Sequence, residues 1–102
     1  MSVLARVMTF YSDTARFADL VESLRSTLPV TYASVPGYEG LLVLEKPGGN
    51  HIIAASFWAS EEGVKASEEI AADNAKRIGH AAGTTVSVNV YEVIGMDKLA
   101  TT

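Results

Sequence analysis

The residues able to do chemistry in this chain are the polar ones set into apolar stretches. Arg6 stands among Leu4, Met8 and Phe10, Ser56 follows Ala54-Ala55, and Ser87 and Asn89 alternate with Val86, Val88 and Val90. A buried polar group costs roughly 1–3 kcal/mol on mutational scales unless it is paired. Each of these side chains therefore either meets a neighbour or serves a ligand. Arg6 is the candidate to stabilise an oxyanion that develops on a bound molecule, and Asn89 the candidate to orient a polar ligand atom. The alternative is that the two pair with each other or across a contact between subunits. Asn89 shares one strand face with Tyr91, since alternate residues of a strand point the same way.

Three aromatic residues add binding surface. The indole of Trp58 can stack on a planar ligand, or it can close the core with its N–H bonded nearby. Tyr32 and Tyr38 flank Pro36-Gly37 and can line a pocket mouth or cover a core edge. Between residues 61 and 78 the spacing Val64, Ala71, Ala75, Ile78 makes an apolar helical stripe interrupted by Ser67 and Asn74. Small and polar residues on an inward stripe leave room and hydrogen-bonding groups, as a pocket wall requires. A helix packed tightly through its alanines is the alternative. His80 can act as a base near neutral pH or favour a helix C-terminus through the dipole. His51 follows a glycine-rich loop and is expected to be solvated.

Other chemistries lack residues. The two histidines show no metal-ligand spacing, and Glu61, Glu62, Glu68, Glu69 and Asp73 read as a solvated helix face, so no metal site is expected. There is no cysteine, which excludes disulfides, thiolate ligands and a Cys nucleophile. No Gly-x-Ser-x-Gly, phosphate loop or dinucleotide fingerprint occurs. With 8 basic and 12 acidic residues the net charge is −4, which argues against nucleic acid and acidic membrane surfaces as partners. No apolar run approaches the ~20 residues of a spanning helix. Met1 to Arg6 lacks a signal-peptide layout, so a cytoplasmic protein is expected.

The elements that must position these residues follow from patterning. At 102 residues and 48% hydrophobic, the chain is expected to be one domain (1–102) with a core over 3–94 and a tail over 95–102. Residues 3–11 read as a strand. Ser12-Asp13 offers an N-cap, and Phe17, Leu20, Val21, Leu24 and Leu28 form a helical stripe that Pro29 is expected to end or kink. Residues 29–36 then form a loop or one further turn. Pro36 to Gly40 is a turn, 41–45 a strand, 46–50 a hairpin loop and 51–58 a strand. Ser60 caps a second helix that runs to about Ile78, where Gly79-His80-Ala81-Ala82-Gly83 breaks it. Residues 84–94 are the last strand.

This β-α-β-β-α-β order predicts an α+β, ferredoxin-like domain with a four-stranded antiparallel sheet and both helices on one face. A solvated sheet face should alternate polar with apolar. Leu41 to Leu44 and Ile52 to Ala55 are apolar throughout, so both faces need cover and two helices supply only one. A second sheet from another copy is expected on the other face, giving a homodimer.

Two signatures now carry a resemblance. Pro36-Gly37-Tyr38-Glu39-Gly40 is similar to the Pro-Gly-aromatic-x-Gly turn of the antibiotic biosynthesis monooxygenase family, and Phe57-Trp58-Ala59-Ser60-Glu61-Glu62 resembles its Trp-x-Ser-x-Glu segment at the end of strand three. The resemblance covers about residues 3–94. It implies a dimeric α+β barrel with sheets packed face to face and a small pocket between each sheet and its helices. Some relatives oxidise polycyclic phenols to quinones with dioxygen and no cofactor; others degrade haem, transform small signalling molecules or have no known activity. The quinone-forming relatives pair the Trp with an Asn four residues earlier and a Tyr six later, positions occupied here by Ala54 and Val64. The haem-degrading relatives use an Asn on strand one, a second Trp nine residues after the first and a helical His. Here residues 1–11 hold no Asn, the second Trp is Ser67, the helical position falls near Arg77, and only His80 is at hand.

The expected activity is thus cofactor-free oxygenation of a small aromatic or polyketide-type molecule. Arg6 and Asn89 are placed at the reacting atoms, and Trp58, Tyr38, Tyr32, Ser67, Asn74 and Tyr91 around the substrate. The alternatives are a non-catalytic dimer that binds a small ligand or serves a stress response, and a haem-binding or haem-degrading relative.

Overall fold

The computed structural model describes residues 3–11, 17–48, 51–82 and 85–97. The elements are β1 (Val3–Tyr11), α1 (Phe17–Tyr32), β2 (Tyr38–Glu45), β3 (His51–Trp58), α2 (Glu61–Ala82) and β4 (Thr85–Val93). The strands form one antiparallel sheet in the order β2-β3-β1-β4. The expected α+β ferredoxin-like plan is therefore the observed one.

Register divides the sheet into two faces. Arg6 stands opposite Ser56 on β3 and Val90 on β4, Met8 opposite Ala54 and Val88, and Leu4 opposite Trp58. This face packs under the helices: Met8, Phe10, Ile52, Ala54 and Trp58 join Leu24, Leu28 and Tyr32 of α1 and Val64 and Ala71 of α2 in one buried core. The opposite face presents Val7, Leu42, Leu44, Ile53 and Phe57. Leu42 and Leu44 are exposed, so the second apolar face expected from the sequence is present and uncovered in a single chain.

α1 takes the further turn that the sequence left open beside a loop, and α2 ends later than expected. α1 continues through Pro29 to Tyr32. Proline removes one i→i−4 bond, but the turn beyond it carries Tyr32 into the core, fully buried, and the Ala33 N–H donates to the Pro29 carbonyl at 3.1 Å. Residues 30–32 are thus a further turn of the same helix. α2 runs through Gly79 and His80 to Ala82. A glycine costs about 1 kcal/mol relative to alanine in a helix interior, which a helix of 22 residues absorbs. His80 consequently lies in a helical turn, not a loop; its side chain lies outside the described residues. So does the Ser12-Asp13 cap. At the other end of α2 the Ser60 hydroxyl accepts the Gly63 N–H at 3.3 Å, the N-cap expected from the sequence.

The Pro36-Gly37 turn fixes how α2 meets the sheet. Gly37 has φ +88°, a conformation that costs glycine little and other residues more, and its carbonyl accepts the Ala59 N–H at 2.8 Å. Gly63 permits close approach on the other side: a Cβ there would lie 3.0 Å from the Pro36 carbonyl oxygen and 3.3 Å from Trp58 Cε3.

Candidate functional site

Arg6 is the centre of the polar architecture beneath the helices. It is 2% exposed, and α2 supplies its partners. Arg6 Nη1 donates to the Ser67 hydroxyl at 2.8 Å and Nη2 to the Val64 carbonyl at 2.8 Å. The Ser67 hydroxyl itself donates to the same Val64 carbonyl at 2.8 Å. Both of these acceptors are neutral oxygens. Two of the five N–H donors of an arginine are used in this way.

An aromatic cluster packs beside it. Arg6 Cζ lies 5.7 Å from the Trp58 ring centroid, within cation–π range. Trp58 meets Tyr32 edge-on at 5.2 Å and Tyr38 at 5.4 Å, and the two tyrosines are 5.9 Å apart. The Trp58 Nε1–H donates to the Ser56 hydroxyl at 2.9 Å, which accounts for a serine in the middle of an apolar strand. Tyr32 has a buried hydroxyl with no hydrogen-bond partner among the described residues. Burial pushes its pKa up, and the nearby Arg6 charge pulls it part of the way back without a hydrogen bond of acceptable geometry. Burial raises the Tyr38 pKa as well. Both phenols stay protonated at neutral pH.

The space available to a ligand is on the other side of Arg6. A cleft of about 330 Å³ is lined by Arg6, Glu68, Ala71, Ala72, Val88 and Val90. β4 is an edge strand and α2 covers it incompletely, so Val88 and Val90 remain 50% and 52% exposed although they point to the helix side. The two alanines of α2 keep the opposite wall short. A second hollow of about 290 Å³ lies near the α2 N-terminus between Pro36, Gly37, Ser60, Glu62, Gly63 and Ala66. No buried charged side chain lines it. The Arg6 cleft joins an apolar floor to one buried cation and one carboxylate, and it is the better candidate.

The residues singled out in the sequence are thereby sorted. Arg6, Trp58, Tyr38, Tyr32 and Ser67 gather on the helix side of the sheet. Ser67 is not a wall with free hydrogen-bonding groups, because it is wholly buried beneath Arg6. Trp58 and Tyr32 are likewise fully buried. Asn89 and Tyr91 do not join them: they face the opposite side, across from Val7 and Ala5, and are exposed in the single chain. The Asn89 amide donates to the Ser87 hydroxyl at 3.5 Å, so Asn89 does not pair with Arg6. The Asn74 and Arg77 side chains lie outside the described residues. Glu68, Val88 and Val90 line the cleft without having been singled out. Glu68 follows Ser67 on α2, and only its position on the flank turned toward β4 separates it from the solvated acidic face. Among the described residues no three His, Asp or Glu side chains gather, and no helix is long and apolar enough to cross a membrane.

The fold recurs in solved structures. The monooxygenase ActVA-Orf6 of Streptomyces coelicolor, solved in complex with nanaomycin D, superposes with a TM-score of 0.76 over 97% of this chain and 94% of its own, at 16% identity. The chain has the fold of the antibiotic biosynthesis monooxygenases. SnoaB of Streptomyces nogalater, a cofactor-independent oxygenase, aligns with a TM-score of 0.77, 16% identity and coverage of 94% of this chain and 97% of that one. A protein of unknown function from Nitrosomonas europaea aligns with a TM-score of 0.75, 22% identity and coverage of 99% and 98%. No family profile and no curated protein matches the chain by sequence. The likeness is one of fold, shared by oxygenases and by proteins without a known activity.

Proposed function

We propose that the protein binds a small, planar phenolic molecule of aromatic or polyketide type in the Arg6 cleft and oxidises it with dioxygen, without a cofactor. The observation that carries this reading is the cleft itself, which sets an apolar floor of Val88 and Val90 beside Arg6 and Glu68. The apolar floor would take the rings and Arg6 the oxygen on which negative charge develops. Glu68 of α2, which also lines the cleft, would accept the phenolic proton. An electron-rich phenolate reduces dioxygen directly. One oxygen atom enters the ring as a new carbonyl and the other leaves in water, so a phenol and O2 give a quinone and water with no external reductant. The chain's share is to bind, to hold the oxyanion and to exclude bulk water. The fold shared with two oxygenases supports the reading.

The protein would work as a homodimer in the manner of the dimeric α+β barrels, the exposed sheet face of one copy covering that of the other. The cysteine-free composition supports a cytoplasmic location. A non-catalytic small-ligand dimer, with a stress-response role as one version, is the second reading. Ala54 and Val64 favour it, standing where the quinone-forming relatives have Asn and Tyr.

Aerobic incubation with a panel of hydroxyanthrones and naphthols, followed by quinone absorbance, tests the activity. A rate above the buffer blank that Arg6→Gln abolishes is expected. Rates equal to the blank for every phenol that binds would establish the non-catalytic reading.

A further inference from the structure

β2 and β4 each have a neighbour on one side only, and the two edges differ. An edge strand offers a row of backbone N–H and C=O groups to any other strand, and chains commonly blunt it with charge, proline or a bulge. β2 is blunted: its register shifts between Tyr38 and Gly40, Glu39 and Glu45 are exposed along it, and Lys46-Pro47 follow. β4 is not. It holds no proline, glycine or basic residue, and it pairs with β1 from Thr85 to Val93 without a shift. Ser87 to Glu92 are all exposed. Val88 and Val90 point to the helix side, so a copy laid on the opposite sheet face would leave them as open as they are, at 50% and 52%.

We propose that the free edge of β4 pairs antiparallel with the same edge of a second copy, about a two-fold axis at Asn89. β4 is complementary to itself in that register. All 9 of its residues pair, and Val88 and Val90 each stand opposite the other's counterpart on the helix side, with Cβ atoms about 4.5–5.5 Å apart. On the other face Asn89 meets Asn89 across the axis, where an amide N–H can donate to an amide carbonyl. Within one chain that amide reaches Ser87 at 3.5 Å, the long limit of a hydrogen bond. The charged residue of β4, Glu92, lies toward one end of the strand, so the two copies of it stand about 20 Å apart at a rise of about 3.4 Å per residue. Both α2 helices lie on the same side of the joined sheet, and the cleft of each copy opens onto that of the other across a shared valine floor. The pairing goes beyond the ligand reading and stands whether or not the cleft takes a phenol. One strand pairing buries less than the roughly 1,000 Å² that a stable interface clears, so it is weaker than a sheet-face contact and closes above micromolar concentration.

The chain has no cysteine, so one introduced thiol reports the pairing. Asn89→Cys is equilibrated in a glutathione redox buffer at submillimolar protein, in a Leu44→Glu background that removes the sheet-face contact, and the disulfide dimer is read on a non-reducing gel. Directly opposite residues have Cα atoms about 4.5–5.5 Å apart, within disulfide reach, whereas sheets packed face to face lie about 10 Å apart. Ser87→Cys, exposed on the same face of the same strand, is the collision control, since its counterpart lies about 14 Å away along the ladder. The Asn89→Cys dimer is expected to form at least tenfold more favourably than the Ser87→Cys dimer. Val88→Lys sets two like charges on diagonal positions across the axis and is expected to bring the yield down to the control level, with circular dichroism unchanged because Val88 is half-exposed. Equal yields at 89 and 87, or an Asn89→Cys dimer that Val88→Lys leaves intact, would overturn the pairing.

Discussion

Replacing Arg6 by methionine separates the two reasons for which a chain can bury an arginine. As a structural cation, Arg6 would be worth its contacts: two hydrogen bonds from a charged donor, about 1.5–3 kcal/mol each, and a cation–π contact with Trp58 of about 1–2 kcal/mol when desolvated. Against this stands the desolvation of a guanidinium that is 2% exposed, which after relaxation costs several kcal/mol. The terms nearly cancel. Methionine has no charge to desolvate, fills a similar irregular space and leaves no donor orphaned, because the Ser67 hydroxyl keeps its bond to the Val64 carbonyl.

Arg6→Met should therefore change stability by no more than about 1.5 kcal/mol, in either direction. For a domain of this size that is a midpoint shift within about 10 °C. The assay is thermal and urea unfolding followed by circular dichroism, at matched protein concentration because association contributes to apparent stability. The same samples are titrated with a naphthol, whose binding should fall at least tenfold. A loss of stability beyond about 3 kcal/mol, the size expected when a needed buried charge is removed, together with unchanged naphthol binding would show Arg6 to be a strut and refute the argument for the cleft.

Other expectations follow from single contacts. Tyr32→Phe removes a buried hydroxyl that has no hydrogen-bond partner among the described residues, so it should be neutral or stabilising by up to about 1 kcal/mol in a urea melt at pH 7. The raised Tyr32 pKa also has a sign at high pH: the unfolded phenol ionises first, near its ordinary value of 10.0, so stability falls as pH rises from there toward the folded value. Tyr32→Phe should flatten that alkaline loss, and melts across the range check it. Gly63→Ala gains about 1 kcal/mol of helix propensity but sets a Cβ 3.0 Å from a backbone oxygen and 3.3 Å from a buried indole; a net loss of about 1–2 kcal/mol is expected from overpacking. Leu44→Glu places a charge on the uncovered sheet face and should shift sedimentation from dimer to monomer at micromolar concentration.

The strands were legible because the residues themselves carry the signal. β1 and β3 match their expected ranges, and the alternation of Val86, Val88 and Val90 with Ser87, Asn89 and Tyr91 survives in the register. The helix ends were less legible, since Pro29 and Gly79 are local breakers and the energy that overrides them is not local. Tyr32 is drawn into the core beside Trp58, and that contact joins residues 26 apart. The site was half legible. Sequence marks Arg6 and Asn89 as polar residues in strands, and periodicity separates the faces of each strand. It does not say that Arg6 and Val90 share a face and Asn89 does not, because that depends on pairing register. Nor does it place Glu68 at the cleft, which depends on how far α2 falls short of the edge strand.

The cleft owes its existence to the same edge. β4 has a neighbour on one side only, and α2 leans over the centre of the sheet, where Arg6, Ser67 and the core hold it. Val88 and Val90 are thus left as an apolar floor under the helix, while Asn89 and Tyr91, one residue along, face the side where a second copy would sit. On the proposed reading, one strand would carry the ligand surface on one face and the association surface on the other. The aromatic cluster cannot take the ligand's place at this site, since Trp58 and Tyr32 are fully packed and stacking a ring on either would mean opening the core. What is left for recognition is a shallow apolar floor, with Glu68 and the little of Arg6 that reaches the cleft beside it. Such a floor would set few demands on a ligand's outline. That breadth suits oxidation of reactive phenols, where the substrate supplies the electrons and the protein supplies the place.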